Sequence, residues 1–298
     1  MPELPEVETI CRQLAKLIVG KEIKKVEVKL PKIIKALLAD FRRATSEAKI
    51  RSVGRRAKLI ILGLDNGWSL LVHLKMTGQL IYIKKTSVIP AKAGIQANKI
   101  KPGSRVKPGM TDQKHAHVVF YFTDSGRVIF NDLRQFGYIK LVKTADLGDF
   151  FIKEGTGPEP LAKDFTLAKF EALLVKKPQA KIKQFLMDPK NIAGIGNIYS
   201  DEILFFSRVH PLRRNQALEK GEIKKIFQGI KKILPAAIKL RGTSANNYLD
   251  AFGRKGEFLK KLKVYGREDE LCVNRCSGKV ARIKLGGRSA HFCPLCQK

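Results

Sequence analysis

Three groups of residues in this 298-residue chain have types and spacings that suggest chemistry directly. The first is the opening run Met1-Pro2-Glu3-Leu4-Pro5-Glu6-Val7-Glu8. If the initiator methionine is removed, which a small second residue such as proline permits, the chain begins with a secondary amine flanked by carboxylates. A terminal amine titrates near ~8 against ~10.4 for lysine, so at about pH 7.5 roughly a quarter is free base, where a lysine has about a thousandth. Such an amine can attack an electrophilic sugar carbon and form an iminium, as lysine does with carbonyls. The same residues also read as a helix start, with Pro5 in the first turn and the glutamates at its positive end. Both readings can hold at once.

The second group is Cys272, Cys276, Cys293 and Cys296, two close pairs separated by sixteen residues. Four thiolates so arranged suit one structural zinc ion in tetrahedral coordination, with the intervening residues forming a β-hairpin. The third group is Gly194-Ile195-Gly196-Asn197, which opens a helical pattern. Glycines at a helix start expose backbone N–H groups, and with the Asn197 amide these make an anion site. Alone, such a motif is ordinarily a packing turn.

The elements that must position these groups can be read from periodicity. Val7, Ile10, Cys11, Leu14, Leu17 and Ile18 recur at helical spacing from Pro5 to Val19, and Gly20 serves as a stop. Cys11 on that apolar face reads as a packed thiol. Short β-like runs follow at 26–30, 59–64, 70–74, 79–83, 118–122 and 138–142, some separated by Asp-Asn-Gly or Asp-Ser-Gly turns. A β-sandwich carrying the first helix is the simplest account. Residues 86–112 interrupt it with three prolines, three glycines and no aromatic residue, so they read as an inserted, exposed loop. Their positive charge makes a nucleic-acid contact the competing reading.

Beyond a linker at 146–160, helical patterns occupy 167–175, 180–188, 197–207 and 222–240. The organisation is therefore α+β and multidomain. A catalytic β-sandwich domain spans 1–145, a helical domain 161–250, and a tail with the cysteine hairpin 251–298. Fifty-eight Lys and Arg against 27 Asp and Glu give a net charge of +31, too large an excess for an ordinary small-molecule enzyme. It calls for a polyanionic partner, and nucleic acid suits it better than an acidic membrane because no amphipathic basic helix or lipidation signal stands out. With no long apolar run and no signal peptide, the expected location is the cytoplasm. Four of the five cysteines lie in the last 27 residues, which does not resemble a secreted disulfide framework.

The run PELPEVE, with the helix-opening AGIGNIY, the sequence GGRS and the cysteine tail, resembles bacterial formamidopyrimidine-DNA glycosylases. The resemblance runs from residue 2 to 297, leaving out the insertion. It implies a bifunctional glycosylase and AP lyase acting on 8-oxoguanine and ring-opened purines in duplex DNA, as a monomer with one zinc ion and no redox cofactor. It also implies that 161–250 holds a helix-two-turn-helix element and that residues after 251 close the lesion loop. Pro2 would attack the sugar C1′, Glu3 would protonate the ribose ring oxygen, and Glu6 would support it. Lys58 would serve both catalysis and phosphate binding. Among the DNA contacts, Asn197, Arg288 and His73 would grip the backbone and Met76 would fill the gap of the flipped base. Arg134 would meet the orphaned cytosine, with Phe136 as the wedge.

One departure is plain: the family normally has two residues between the first two cysteines, whereas this chain has three, Val273, Asn274 and Arg275. Endonuclease VIII, a relative that prefers oxidised pyrimidines, shares the Pro-Glu terminus and the zinc tail. Leu4, Met76 and Arg134-Gln135-Phe136 favour the purine enzyme. From a different class, a DNA-binding module with an inert amine is the alternative.

Overall fold

The computed structural model describes residues 1–84 and 115–298. The 86–112 segment read as an insertion lies outside the described residues. The chain opens with helix α1 (Leu4–Ile18), followed by β1 (Ile23–Val28), β2 (Ile34–Lys35), α2 (Leu38–Thr45) and strands β3 (Ile50–Arg56), β4 (Leu59–Leu64), β5 (Trp68–His73) and β6 (Gly78–Ile83). Strands β7 (Ala116–Phe122), β8 (Arg127–Asp132) and β9 (Tyr138–Lys143) complete this half.

Among the described residues these strands form two sheets, β1-β7-β8-β6 and β2-β9-β5-β4-β3. Every pairing is antiparallel except β2 with β9. Alternation explains the stacking. In β8, Val128 and Phe130 face inward while Ile129 joins Ala116 and Val119 on the outer face. Val118, Phe120, Phe130 and Leu80 of one sheet share a core with Ile60, Leu62, Leu70 and Val72 of the other, which makes the β-sandwich.

The second half is helical: α3 (Leu147–Lys153), α4 (Leu167–Val175), α5 (Ile182–Met187), α6 (Asn197–Ser207) and α7 (Lys220–Lys239), then a hairpin of β10 (Ala281–Leu285) and β11 (Arg288–Phe292). Among the described residues no helix is long and apolar enough to cross a membrane. Its core joins Phe170, Phe185, Tyr199, Ile203, Ile230 and Leu234. Helix α1 belongs to both halves. Val7, Ile10, Leu14 and Ile18 enter the sandwich core, and Leu4 enters the helical one. Tyr248 and Ala251 return from the far end of the chain to the sandwich core.

Several elements escape a periodicity reading. Strand β3 carries three arginines, Arg51, Arg55 and Arg56, and lies at a sheet edge, so it shows little apolar signal. Helix α3 sits within the stretch read as a linker and buries none of its residues fully.

Candidate active site

The residues leading into α1 reach a cavity of about 610 Å³. Pro2, Glu3, Lys58, His73, Met76, Asn197 and Arg288 all line it, together with Tyr265 and residues 245–248. These side chains come from the α1 entry, the β3–β4 turn, the end of β5, the start of α6 and the tip of the zinc hairpin. The fold therefore gathers most of the sequence-derived candidates around one void. Glu6, Arg134 and Phe136 are not part of its wall.

The glycines before α6 are set by close approach. A Cβ at Gly196 would lie 2.4 Å from Cδ of Glu3, and one at Gly194, whose φ is +86°, would lie 2.7 Å from Cβ of Leu4. With no side chain in the way, the Leu4 amide donates to Gly194 O at 2.9 Å. The Glu3 carboxylate accepts from the amides of Gly196 at 2.7 Å, Ile198 at 2.9 Å and Tyr199 at 3.4 Å. This corrects the reading of the motif as an open anion site. The anion held by this helix start is the chain's own Glu3, as its unpaired N–H groups and dipole favour. Asn197 remains available: its buried Oδ1 has no partner among the described residues, so the amide can turn toward a ligand.

Beneath the cavity, Glu6 is fully enclosed. One of its oxygens accepts from the Glu3 amide at 2.7 Å, the other from the Tyr199 hydroxyl at 2.6 Å and the Thr243 amide at 2.7 Å. Burial, with the nearby Glu3 charge, raises its carboxyl from the usual 4.5 to about 7. Because the folded value is the higher one, protonated Glu6 stabilises the fold. That contribution is complete below about pH 4.5 and is lost as pH rises through about 7, amounting to roughly 3 kcal/mol. Thermal melting of the chain that keeps Met1 should therefore show a decline in stability from pH 5 to 8 that Glu6→Gln flattens. Parallel slopes for parent and variant would overturn the assignment.

Burial lowers the pKa of the Met1 ammonium, although Glu3 and Glu6 oppose the shift. Lys58 is lowered for the same reason, and its Nζ donates to Ile195 O at 3.0 Å. Two amines thus share the cavity, the terminus and Lys58. His73 is driven down to about 3 by burial and by the charges of Lys75 and Lys58. Its Nδ1 accepts from the Lys75 amide at 2.9 Å, leaving Nε2–H of the neutral ring as a donor.

The loop bearing Arg134 and Phe136 is shaped by Asp132, which the sequence reading missed. Buried Asp132 accepts from the Gly137 amide at 2.6 Å and from the Thr77 hydroxyl, and Gln135 adopts a left-handed φ of 57°. Phe136 projects outward at 56% exposure, with the Arg134 guanidinium 5.0 Å from its ring centroid. Family apart, Phe136 reads as a core residue from the sequence; the structure places it in solvent. Thr77, the neighbour of Met76, also accepts from the Arg134 amide at 3.0 Å, which ties this loop to the cavity wall.

The zinc hairpin is anchored by groups with no motif signal. Lys183 and Asp201, both wholly buried, form an ion pair. Lys183 also donates to Ser289 O at 3.0 Å, and Asp201 accepts from the His291 amide at 3.0 Å. Arg288, next to Ser289, is thereby held at the cavity. The sulfurs of Cys272, Cys276, Cys293 and Cys296 lie within 4.8 Å of one another, with Cys276 and Cys293 at 3.5 Å and Cys272 and Cys296 at 3.7 Å. A tetrahedron with Zn–S bonds of ~2.3 Å has edges of ~3.8 Å, so the donor set fits a zinc ion. The extra residue between the first two cysteines is absorbed by left-handed turns at Arg275 and Ser277, on either side of Cys276. The four thiols therefore converge despite that departure.

Comparison with known proteins agrees with this geometry. The sequence profile of the formamidopyrimidine-DNA glycosylase N-terminal domain matches residues 1–139, and that of the H2TH domain of the same glycosylase matches 156–248. The zinc finger found in FPG and IleRS matches 274–298, beginning after Cys272. The chain is 41% identical over 299 residues to the formamidopyrimidine-DNA glycosylase of Heliobacterium modesticaldum, covering 100% of both chains. Its identity with the enzyme of that name from Streptococcus pneumoniae is 38%, over 100% of this chain and 99% of the other. Among solved structures, the complex of Lactococcus lactis Fpg with DNA containing an abasic site superposes with a TM-score of 0.84 at 33% identity, over 99% of each chain. A mutant of the same protein bound to DNA containing Fapy-dG gives 0.84 and 33% over 100% of each.

Proposed function

The chain belongs to the formamidopyrimidine-DNA glycosylase family, and from that premise we propose how its own residues carry out the excision of oxidised purines from duplex DNA. The observation that carries the reading is the convergence of the chain terminus, Lys58, His73, Asn197 and Arg288 on one cavity. Chemistry at C1′ cannot be reached in a stacked duplex, so the damaged nucleotide must turn out of the helix into this space. Once Met1 is removed, the Pro2 nitrogen attacks C1′ as the bond to the base breaks, and the base leaves with the proton that the amine gives up. The C1′–O4′ bond then opens as the ring oxygen takes a proton, which leaves C1′ and the nitrogen joined as an iminium that acidifies the neighbouring carbon. Successive β and δ eliminations then release the flanking phosphates, the AP lyase activity typical of the family.

Glu3 would protonate the ring oxygen, and Glu6 beneath it would hold Glu3 and the terminus in place. Lys58, neutral His73, Asn197 and Arg288 would bind the phosphates around the lesion. The zinc ion would be held by Cys272, Cys276, Cys293 and Cys296, and its part is to keep the hairpin folded. The cavity is built from one chain, in keeping with a monomer, and a DNA substrate goes with a cytoplasmic location. The profile match across 1–139 and the names of the relatives favour the purine enzyme over the endonuclease VIII reading.

Arg134 supplies the test. An orphaned cytosine presents acceptors at O2 and N3, which a guanidinium fits, whereas adenine offers a donor where an acceptor is needed. A good bidentate contact is worth about 1 to 3 kcal/mol, or roughly five- to a hundredfold. Excision of 8-oxoguanine should therefore be faster opposite cytosine than opposite adenine by a factor in that range. Arg134→Ala should flatten the preference while leaving cleavage of a preformed abasic site largely intact. An unchanged cytosine preference in the variant would assign opposite-strand reading to another residue, and no excision of 8-oxoguanine by the parent would overturn the substrate assignment.

A further inference from the structure

A second cavity, of about 590 Å³, lies between α6, α7 and the first zinc knuckle, and no residue lines both it and the catalytic void. We propose that it docks an acidic peptide segment of a partner protein through one aromatic or large aliphatic side chain. The floor is carbon, supplied by Phe206, Ile233, Leu240 and Phe258. Phe206 is 38% exposed although it sits on a helix whose other large side chains are buried. The volume falls in the range of about 300–1,000 Å³ typical of ligand sites.

The rim has one sign of charge. Arg208, Lys232, Lys261 and Lys263 line the mouth, and among the described residues none of the four forms an ion pair. The one carboxylate in the wall, Glu202, is turned inward, accepting from the amides of Lys263, Val264 and Tyr265 at 2.9 to 3.0 Å. Its charge is thus spent on the loop that carries Lys263, and the charged groups left at the mouth are all cations. An apolar pocket ringed by unpaired cations complements a segment that joins several carboxylates to one apolar anchor. A phosphate backbone would satisfy the rim but leave the floor unfilled, which disfavours duplex DNA here.

Helix α6 links the two sites without mixing them. Asn197 and Ile198 at its start line the catalytic cavity, while Phe205 and Phe206 near its end line this one. At 1.5 Å per residue the separation along the axis is about 12 Å. Val273 and Asn274, which lie between the first two cysteines, complete the wall.

The test uses the full-length zinc-loaded protein and a fluorescein-labelled peptide of aspartates and glutamates bearing a single phenylalanine, followed by anisotropy. Micromolar binding is expected, weakened about tenfold when the peptide phenylalanine becomes serine and about as much by Ala236→Trp, which fills the floor without changing charge. Lys232→Glu with Lys263→Glu should abolish it. All three positions are exposed, and melting temperatures should confirm that the variants fold. Excision of 8-oxoguanine should stay within about twofold of the parent. Equal binding of the serine peptide, or no loss with Ala236→Trp, would reduce the effect to nonspecific attraction by a +31 chain and overturn the proposal. Tighter binding of a single-stranded oligonucleotide than of the peptide, with the same sensitivity to Ala236→Trp, would overturn it in favour of a nucleic-acid site.

Discussion

A chain that keeps Met1 is expected to form no borohydride-stable cross-link with DNA containing one 8-oxoguanine, whereas the same chain beginning at Pro2 should be trapped at its terminus. The reason is electronic. With Met1 in place the proline nitrogen is an amide whose lone pair is delocalised, and it cannot attack C1′. Removing the nucleophile should lower cleavage by at least about 10³-fold, to the level of denatured protein. Pro2→Gly, which keeps a terminal amine but gives up the secondary nitrogen and the ring that orients it, should retain trapping at a reduced rate. Lys58 is the rival, since its amine lines the same cavity and burial lowers its pKa too. Peptide mapping separates them, and a cross-link carried by Lys58 would refute the Pro2 assignment.

Glu3→Gln is a less simple probe of acid catalysis than the sequence suggests. The carboxylate accepts three amide hydrogens at the start of α6. A glutamine would set its NH₂ against at least one of those donors, leaving a buried group unsatisfied at a cost of about 1–3 kcal/mol. Lost activity in that variant should therefore be read beside its melting temperature.

What was legible in the sequence is what local pattern controls. The first helix, the four cysteines and the start of α6 at Asn197 announce themselves because period, spacing and glycine punctuation are local. The partners of the Glu3 and Glu6 carboxylates are not. Tyr199 and Thr243 meet Glu6 across 193 and 237 residues of chain, and neither stands in a motif that pairs it with a terminus. Lys183, Asp201 and His291 were invisible for the same reason: a lysine in a +31 chain reads as surface charge, and only the docking of the hairpin buries it. Asp132 shapes the Arg134 loop only because Thr77 reaches it from the turn between β5 and β6.

Loss of zinc should have the second large effect, and here two sources of hairpin stability can be told apart. Strands β10 and β11 are five residues each, too short for a two-stranded hairpin to persist alone. Among the described residues, Cys272 and Cys293 share a buried cluster with Phe205, Val264 and Val280, edged by Cys276 and Cys296, a small core for that task. A structural zinc ion contributes about 10–16 kcal/mol of apparent binding free energy, which here is folding free energy of the hairpin. Cys293→Ser is therefore expected to purify without zinc and to lose at least about tenfold in affinity for lesion DNA, because Arg288 is no longer held at the cavity. The sandwich should still melt cooperatively, since its core contains no residue of the hairpin. The competing anchor is the buried Lys183–Asp201 pair, which grips Ser289 and His291 directly. Such pairs lose about as much in desolvation as they gain in attraction, so it should not hold the hairpin in place by itself. Metal analysis and DNA anisotropy on the same preparation decide between them. Zinc-free Cys293→Ser with undiminished affinity would make the ion pair the true anchor, and freshly purified parent protein without zinc would remove the metal from the account altogether.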